Sequence, residues 1–169
     1  MSAGNVPPRR ADAGDLHGLA EIADRLVRQS MVASLATLER DGGNPYASLI
    51  EVATLPDGRP LMLLSSLARH CRNLEADSRV ALLIDQRDAS GASLASERAT
   101  LMGTATREGG QSALRRFLAR HPGAEAYASL GDFSLWRIDP SAVHVASQGP
   151  TGSASTSWRP WESIGVPSC

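Results

Sequence analysis

The sequence predicts a mainly β fold with flanking helices, built from six to seven antiparallel strands, on three observations. Short apolar segments of strand length recur along the chain, turn clusters of Gly, Pro, Asn and Asp separate them, and only three stretches carry the 3.6-residue apolar period of a helix.

Residues 1–14 are rich in Pro, Gly and Arg without periodicity and read as a flexible N-terminal arm. From Asp15, a candidate N-cap, Leu16, Leu19, Ala20, Ala23, Leu26 and Val27 fall on one stripe of a helix. The period then shortens. MVASLATL, the turn cluster Asp41-Gly42-Gly43-Asn44-Pro45 and YASLIEVATL predict a hairpin. A second turn, Pro56-Asp57-Gly58, leads into PLMLLSS, whose unbroken apolar run predicts a strand buried on both faces.

Residues 67–77 fit a short helix, with Leu67, Cys71 and Leu74 on one side, ahead of the strand RVALLID. Residues 86–96 are small and polar and read as a surface loop. ERATLMGTATR alternates as a strand, with Gly103 marking a bulge or a close backbone approach. QSALRRFLARHP is an amphipathic helix stopped at Pro122. FSLWRI and, after Asp139-Pro140, AVHVA predict two last strands. Residues 147–169 are dominated by Ser, Gly, Thr and Pro and read as a tail anchored by Trp158 and Trp161.

At 169 residues the length suits one domain. A formal net charge of -1 offers no single-sign field for a phosphate backbone or an anionic membrane, so neither nucleic acid nor membrane is an expected partner. All 17 basic residues are arginine, which excludes an internal aldimine or a lysine base. Two cysteines, no charged-then-apolar leader and no long apolar span point to a soluble cytoplasmic protein.

The residues with chemistry to offer concentrate in LSSLARHCRNL. A phosphate monoester is close to dianionic and is met by Ser hydroxyls, guanidinium forks and amide N–H groups at a helix start, and Ser65, Ser66, Arg69, His70 and Arg72 supply those types within a short span. The bland alternative is the solvated face of a short helix. No catalytic acid or base and no metal-ligand set stands out. His144 on a strand and His121 before Pro122 suit hydrogen-bonded surface or cap roles better than iron ligation.

From about Met31 to Ala146, the segments SLATL with DGGNPYASLIEVA, DGRPLMLLSSLARHCRNLEADSRVALLI, ATLMGTA and RRFLARHPGAEAYASLGDFSLWRIDPSAVHV resemble, in order and spacing, the pyridoxamine 5'-phosphate oxidase-like family of FMN-binding split barrels. The resemblance is to its short branch, related to heme-utilisation proteins. It implies a Greek-key split β-barrel over residues 15–146, FMN as cofactor, and a homodimer with the cofactor site between subunits. It also implies that LSSLARHCRNL holds the flavin phosphate, with His70 where many relatives carry Lys and Cys71 where they carry a small hydroxyl residue. A buried, inert thiol is the expectation for Cys71. The strand carrying Ala47, Ser48, Leu49 and Ile50 is then the one that runs along the flavin ring, offering it backbone groups.

Two departures qualify the resemblance. The vitamin oxidases carry a tryptophan on the last strand followed by Arg-x-His, whereas this chain reads HVASQGPTGSAS, so pyridoxamine phosphate oxidation itself is not expected. The heme-utilising branch usually adds a C-terminal domain and an iron-binding His loop that this sequence does not show. The leading expectation is an FMN-binding, flavin-dependent oxidoreductase of unknown substrate. The alternatives are a heme-binding or heme-utilisation module on the same barrel, or an interaction domain without a cofactor. The 147–169 tail is expected to be dispensable for folding and able to lie over the cofactor mouth.

Overall fold

A computed structural model describes residues 13–85 and 96–148 and the backbone strand at 154–160, with side chains at 21–85 and 96–146. Its elements in order are α1 (Ala13–Gln29), β1 (Val32–Leu38), β2 (Pro45–Glu51), β3 (Ala53–Thr54), β4 (Pro60–Ser65), α2 (Arg69–Ala76), β5 (Arg79–Asp85), β6 (Arg98–Arg107), α3 (Gln111–Arg120), a 3-10 turn (Pro122–Ala124), α4 (Glu125–Ala128), β7 (Phe133–Gln148) and β8 (Ala154–Pro160). The strands form one antiparallel sheet in the order β2-β1-β5-β6-β7-β4-β3, with β8 paired to β7. The curled sheet is the split barrel expected from the resemblance.

Alternation places the core. Along β1, Ala33, Leu35 and Thr37 are buried, and they join Ile50, Val80, Leu82, Ile84, Leu101, Ile138 and Val145 inside the curl. Ala23, Leu26 and Val27 of α1 and Cys71 and Leu74 of α2 pack against the same core. A second, smaller core lies on the other face of β4, where Leu61 and Leu135 meet Phe117 and Ala113 of α3. With Met62 and Leu64 in one core and Leu61 in the other, β4 is buried on both sides as its apolar run predicts. Phe117 is fully buried, which stabilises the α3 docking by roughly 1.5–3 kcal/mol.

The turns follow their sequences. Gly42 and Gly43 take φ of 92° and 68° in the β1–β2 hairpin, closed by Glu39 N–H to Asn44 O at 2.8 Å. Gly103 marks both features foreseen for it. The β6–β7 register shifts between Met102 and Gly103, and a Cβ on Gly103 would stand 2.2 Å from the Asp139 carbonyl oxygen.

Three expectations are corrected. Helix α1 opens at Ala13, so Asp15 lies inside its first turn instead of capping it. FSLWRI and AVHVA are one continuous strand, β7, because Pro140 sits opposite Gly103 at the bulge, where a missing N–H costs no regular ladder bond. Residues 154–160, read as tail, form β8 against Ala142–Gln148. The loop at 86–95, the arm at 1–12 and Trp161 lie outside the described residues. No helix among the described residues is long and apolar enough to cross a membrane.

Candidate functional site

The pleat of β2 divides its four predicted cofactor residues between two faces. Ile50 is buried in the core and Ser48 faces the same side, while Ala47 and Leu49 point outward, Leu49 with 72% of its surface exposed. The outward row continues across the sheet. Ala47 pairs with Ala36 and Leu49 with Ser34, and these two pair in turn with Ala81 and Leu83 of β5. With Val32, half exposed at 50%, the middle of this face of β2-β1-β5 carries small and apolar side chains, bordered by Glu51 on β2 and by Arg79 and Asp85 on β5.

Helix α2 packs across the inner ends of β1 and β2. Asn73 holds it there: its buried Nδ2 donates to Thr37 Oγ1 at 3.0 Å, and its Oδ1 accepts the Arg40 N–H at 3.3 Å. His70 Nδ1 lies 3.1 Å from Ser48 Oγ, so two of the predicted residues from different elements meet. Burial holds the His70 imidazole below its ordinary value of 6.5, which keeps it neutral at pH 7. Arg69 lies over the Tyr46 ring at 5.6 Å and pairs with Glu39 at 3.3 Å. Together Glu39, Arg40, Asp41, Arg69, Arg72 and Asn73 line an open cavity of about 670 Å³. The helix start itself has no side-chain cap at Ala68, so no capping side chain meets the first-turn N–H groups.

Ser65 and Ser66 are engaged elsewhere. The Ser65 hydroxyl donates to Asp132 Oδ2 at 2.6 Å and accepts the Leu67 N–H at 3.1 Å, while the Ser66 N–H donates to the Asp132 carbonyl at 2.7 Å. An anion brought to the Ser65 hydroxyl would face the Asp132 carboxylate. The nine predicted residues thus separate: Arg69 and Arg72 at the cavity, His70 with Ser48 beside it, Ser65 by its hydroxyl and Ser66 by its backbone on Asp132, Ile50 in the core, and Ala47 and Leu49 on the outer face. Cys71 is buried, and burial together with the Glu75 charge pushes its thiol up, the inert state expected of it.

Sequence reasoning missed Asn73, Asp132, Tyr46 and the Glu39–Asp41 edge. Asn73 left a trace, since a helix-interior Asn beside Leu74 on the apolar side needs a buried partner. Asp132 left none, because its bond to Ser65 closes over 67 residues. His121 caps α3 as read, yet it is buried, 5% exposed; its Nε2 donates to Val52 O at 2.9 Å and its Nδ1 stands 3.8 Å from Glu51. Tyr127 donates to the same Glu51 at 2.8 Å, and burial with that bond pushes its hydroxyl up to about 12.

Comparison with known proteins fits this geometry. The chain is 39% identical over 110 residues to the chloroplastic protein of Arabidopsis thaliana named Non-canonical heme oxygenase HOZ, covering 62% of this chain but only 32% of that one. A heme binding protein from Mycobacterium smegmatis superposes with a TM-score of 0.75 at 31% identity, over 86% of this chain and 59% of that one. HutZ, a heme storage protein of Vibrio cholerae, superposes at 0.56 and 24% identity over 72% and 89% of the two chains, a likeness of fold. The chain therefore spans about a third of the curated relative's length and about three fifths of the mycobacterial one. The model of the pyridoxamine 5'-phosphate oxidase family matches residues 19–147, most of the split barrel, and the chain belongs to that family.

Proposed function

We propose that the α2–β2 cleft binds heme, with Arg69, Arg72 and Arg40 meeting its carboxylates. This reverses the order of the sequence-based expectations, in which FMN came first. The observation that carries it is the split among the α2 residues: three arginines line the cavity beside Glu39 and Asp41, while the Ser65 hydroxyl, which would serve a phosphate, is held on the Asp132 carboxylate. Two carboxylates on a broad ring need spaced cations, whereas a phosphate dianion needs converging donors. The relatives named for heme, at 39% and 31% identity, support the same choice. Bound heme would supply iron redox chemistry, and this chain's part is binding and orientation.

FMN remains the second reading on one observation, the uncapped first turn of α2, which suits a phosphate. Titration of the purified protein with hemin separates the two. A saturable Soret shift supports heme. Two flavin bands in the protein as isolated, with no hemin response, would transfer the cleft to FMN.

The homodimer implied by the family resemblance belongs to the same proposal. Val32, Leu49 and Leu83 leave exposed apolar side chains on the outer face of β2-β1-β5, and a second copy would cover them. Light scattering that returned a monomer with cofactor bound would sink this part alone.

A further inference from the structure

A second cavity, of about 360 Å³, lies where the end of α1 and β3 meet α3, and it is lined by Arg28, Ala53, Thr54, Arg116, Ala119 and Arg120. Three arginines line it. Arg28 is paired, its Nε donating to Asp24 at 2.8 Å. The other two are held by backbone alone: Arg116 Nε donates to Thr54 O, and Arg120 Nη2 donates to Gln29 O and, at 3.3 Å, to Ser30 O. Among the described residues neither Arg116 nor Arg120 has a carboxylate partner.

We infer that this cavity is a binding site for a phosphate group, free or as a small monoester, gripped by Arg116 and Arg120 with Arg28 at its edge. Like charges four apart on a helix repel, and Arg116 and Arg120 are so placed on α3 with a third arginine facing them. Helix capping accounts for part of Arg120, whose Nη2 meets the last carbonyls of α1. It does not account for Arg116, nor for the presence of all three at one opening. Because backbone carbonyls orient both side chains, their remaining N–H groups are pre-positioned for an acceptor. A phosphate offers three oxygens to three forks, which a carboxylate does not, and the alanines at 53 and 119 leave room beside it for a small organic group.

The inference is independent of what occupies the α2–β2 cleft, and the test keeps the two apart. Arginine side-chain NMR of the full chain is followed during titration with inorganic phosphate and, separately, with glycerol phosphate, each against chloride at matched ionic strength. Saturable shifts of the Arg116 and Arg120 Nε signals are expected with phosphate and not with chloride. A tighter response to glycerol phosphate marks an ester as the ligand, and an equal one marks the free ion. Arg116→Gln should weaken binding by about tenfold or more, while Arg72→Gln, at the other cavity, should leave it unchanged. Equal shifts in chloride, no saturable shift at all, or a loss of binding in Arg72→Gln with none in Arg116→Gln would each overturn the assignment.

Discussion

Two arginine clusters of this barrel differ in what they are bound to. Around β7, Arg59 and Arg137 both donate to Asp139 Oδ1, at 2.7 and 3.0 Å, Arg59 also pairs with Asp57, Arg137 with Glu108, and Thr106 donates to the other Asp139 oxygen at 2.9 Å. Burial opposes the Asp139 charge, but the bonds from Arg137, Arg59 and Thr106 outweigh it and hold its carboxyl below the ordinary value. Around the α2 cleft, by contrast, Arg69 has a single, longer ion pair, to Glu39 at 3.3 Å, and Arg40 and Arg72 have no ion-pair partner among the described residues. The first cluster spends its charge on the fold and the second faces a cavity. Substitutions in the first should therefore cost stability, and substitutions in the second should cost binding.

The largest effect is expected where the first cluster is seated. Gly103 lets the Asp139 backbone approach β6, and a methyl at that position would collide with the Asp139 oxygen at 2.2 Å and the Pro140 Cα at 2.8 Å. Neither contact is a flexible side-chain end. Gly103→Ala should destabilise by about 3 kcal/mol, read from urea unfolding. A loss under about 0.5 kcal/mol would show that the bulge relaxes freely and that Asp139 is not fixed there.

Gly103 was legible because a glycine inside an alternating strand has few other uses. The strands were legible because short apolar runs such as MVASLATL and RVALLID, set between turn signals, read as strands whatever lies opposite. What sits opposite was hidden. The Asp139-Pro140 pair reads as a break, and only the register with Gly103 turns it into a bulge within one strand. β8 escaped because its pairing, not its small polar composition, makes it a strand. The cleft was half legible: Arg69, His70 and Arg72 announce themselves within a few residues, whereas the contact of Ser48 with His70 and the bond of Ser65 to Asp132 arise only through the fold.

A direct contrast between the clusters comes next in size. Asp139→Ala removes the shared acceptor of two half-buried arginines and should cost about 1–2 kcal/mol of stability while leaving hemin affinity unchanged. Arg69→Ala with Arg72→Ala should do the reverse, with stability within about 0.5 kcal/mol of the parent and hemin affinity lower by about tenfold or more. If the double variant lost stability and kept its affinity, the division of labour between the clusters would be wrong.

The smallest effect is a pH dependence centred on His70, which sits between the two behaviours because it is half-buried yet borders the cleft. Burial lowers its pKa below 6.5, so the folded state prefers the neutral ring while the unfolded chain protonates near the ordinary value. The stability this preference represents is present above 6.5 and is lost as pH falls below it toward the folded-state value. Protonation would also place a cation beside Arg69 and Arg72 and make Nδ1 a donor toward the Ser48 oxygen. Unfolding of the parent and of His70→Gln is compared at about pH 7.5 and about pH 5.5. The difference isolates this ring from His121 and His144, which both proteins share. The parent should lose more stability on acidification than the variant, and equal losses would mean that the His70 ring protonates in the folded protein as readily as in the unfolded chain.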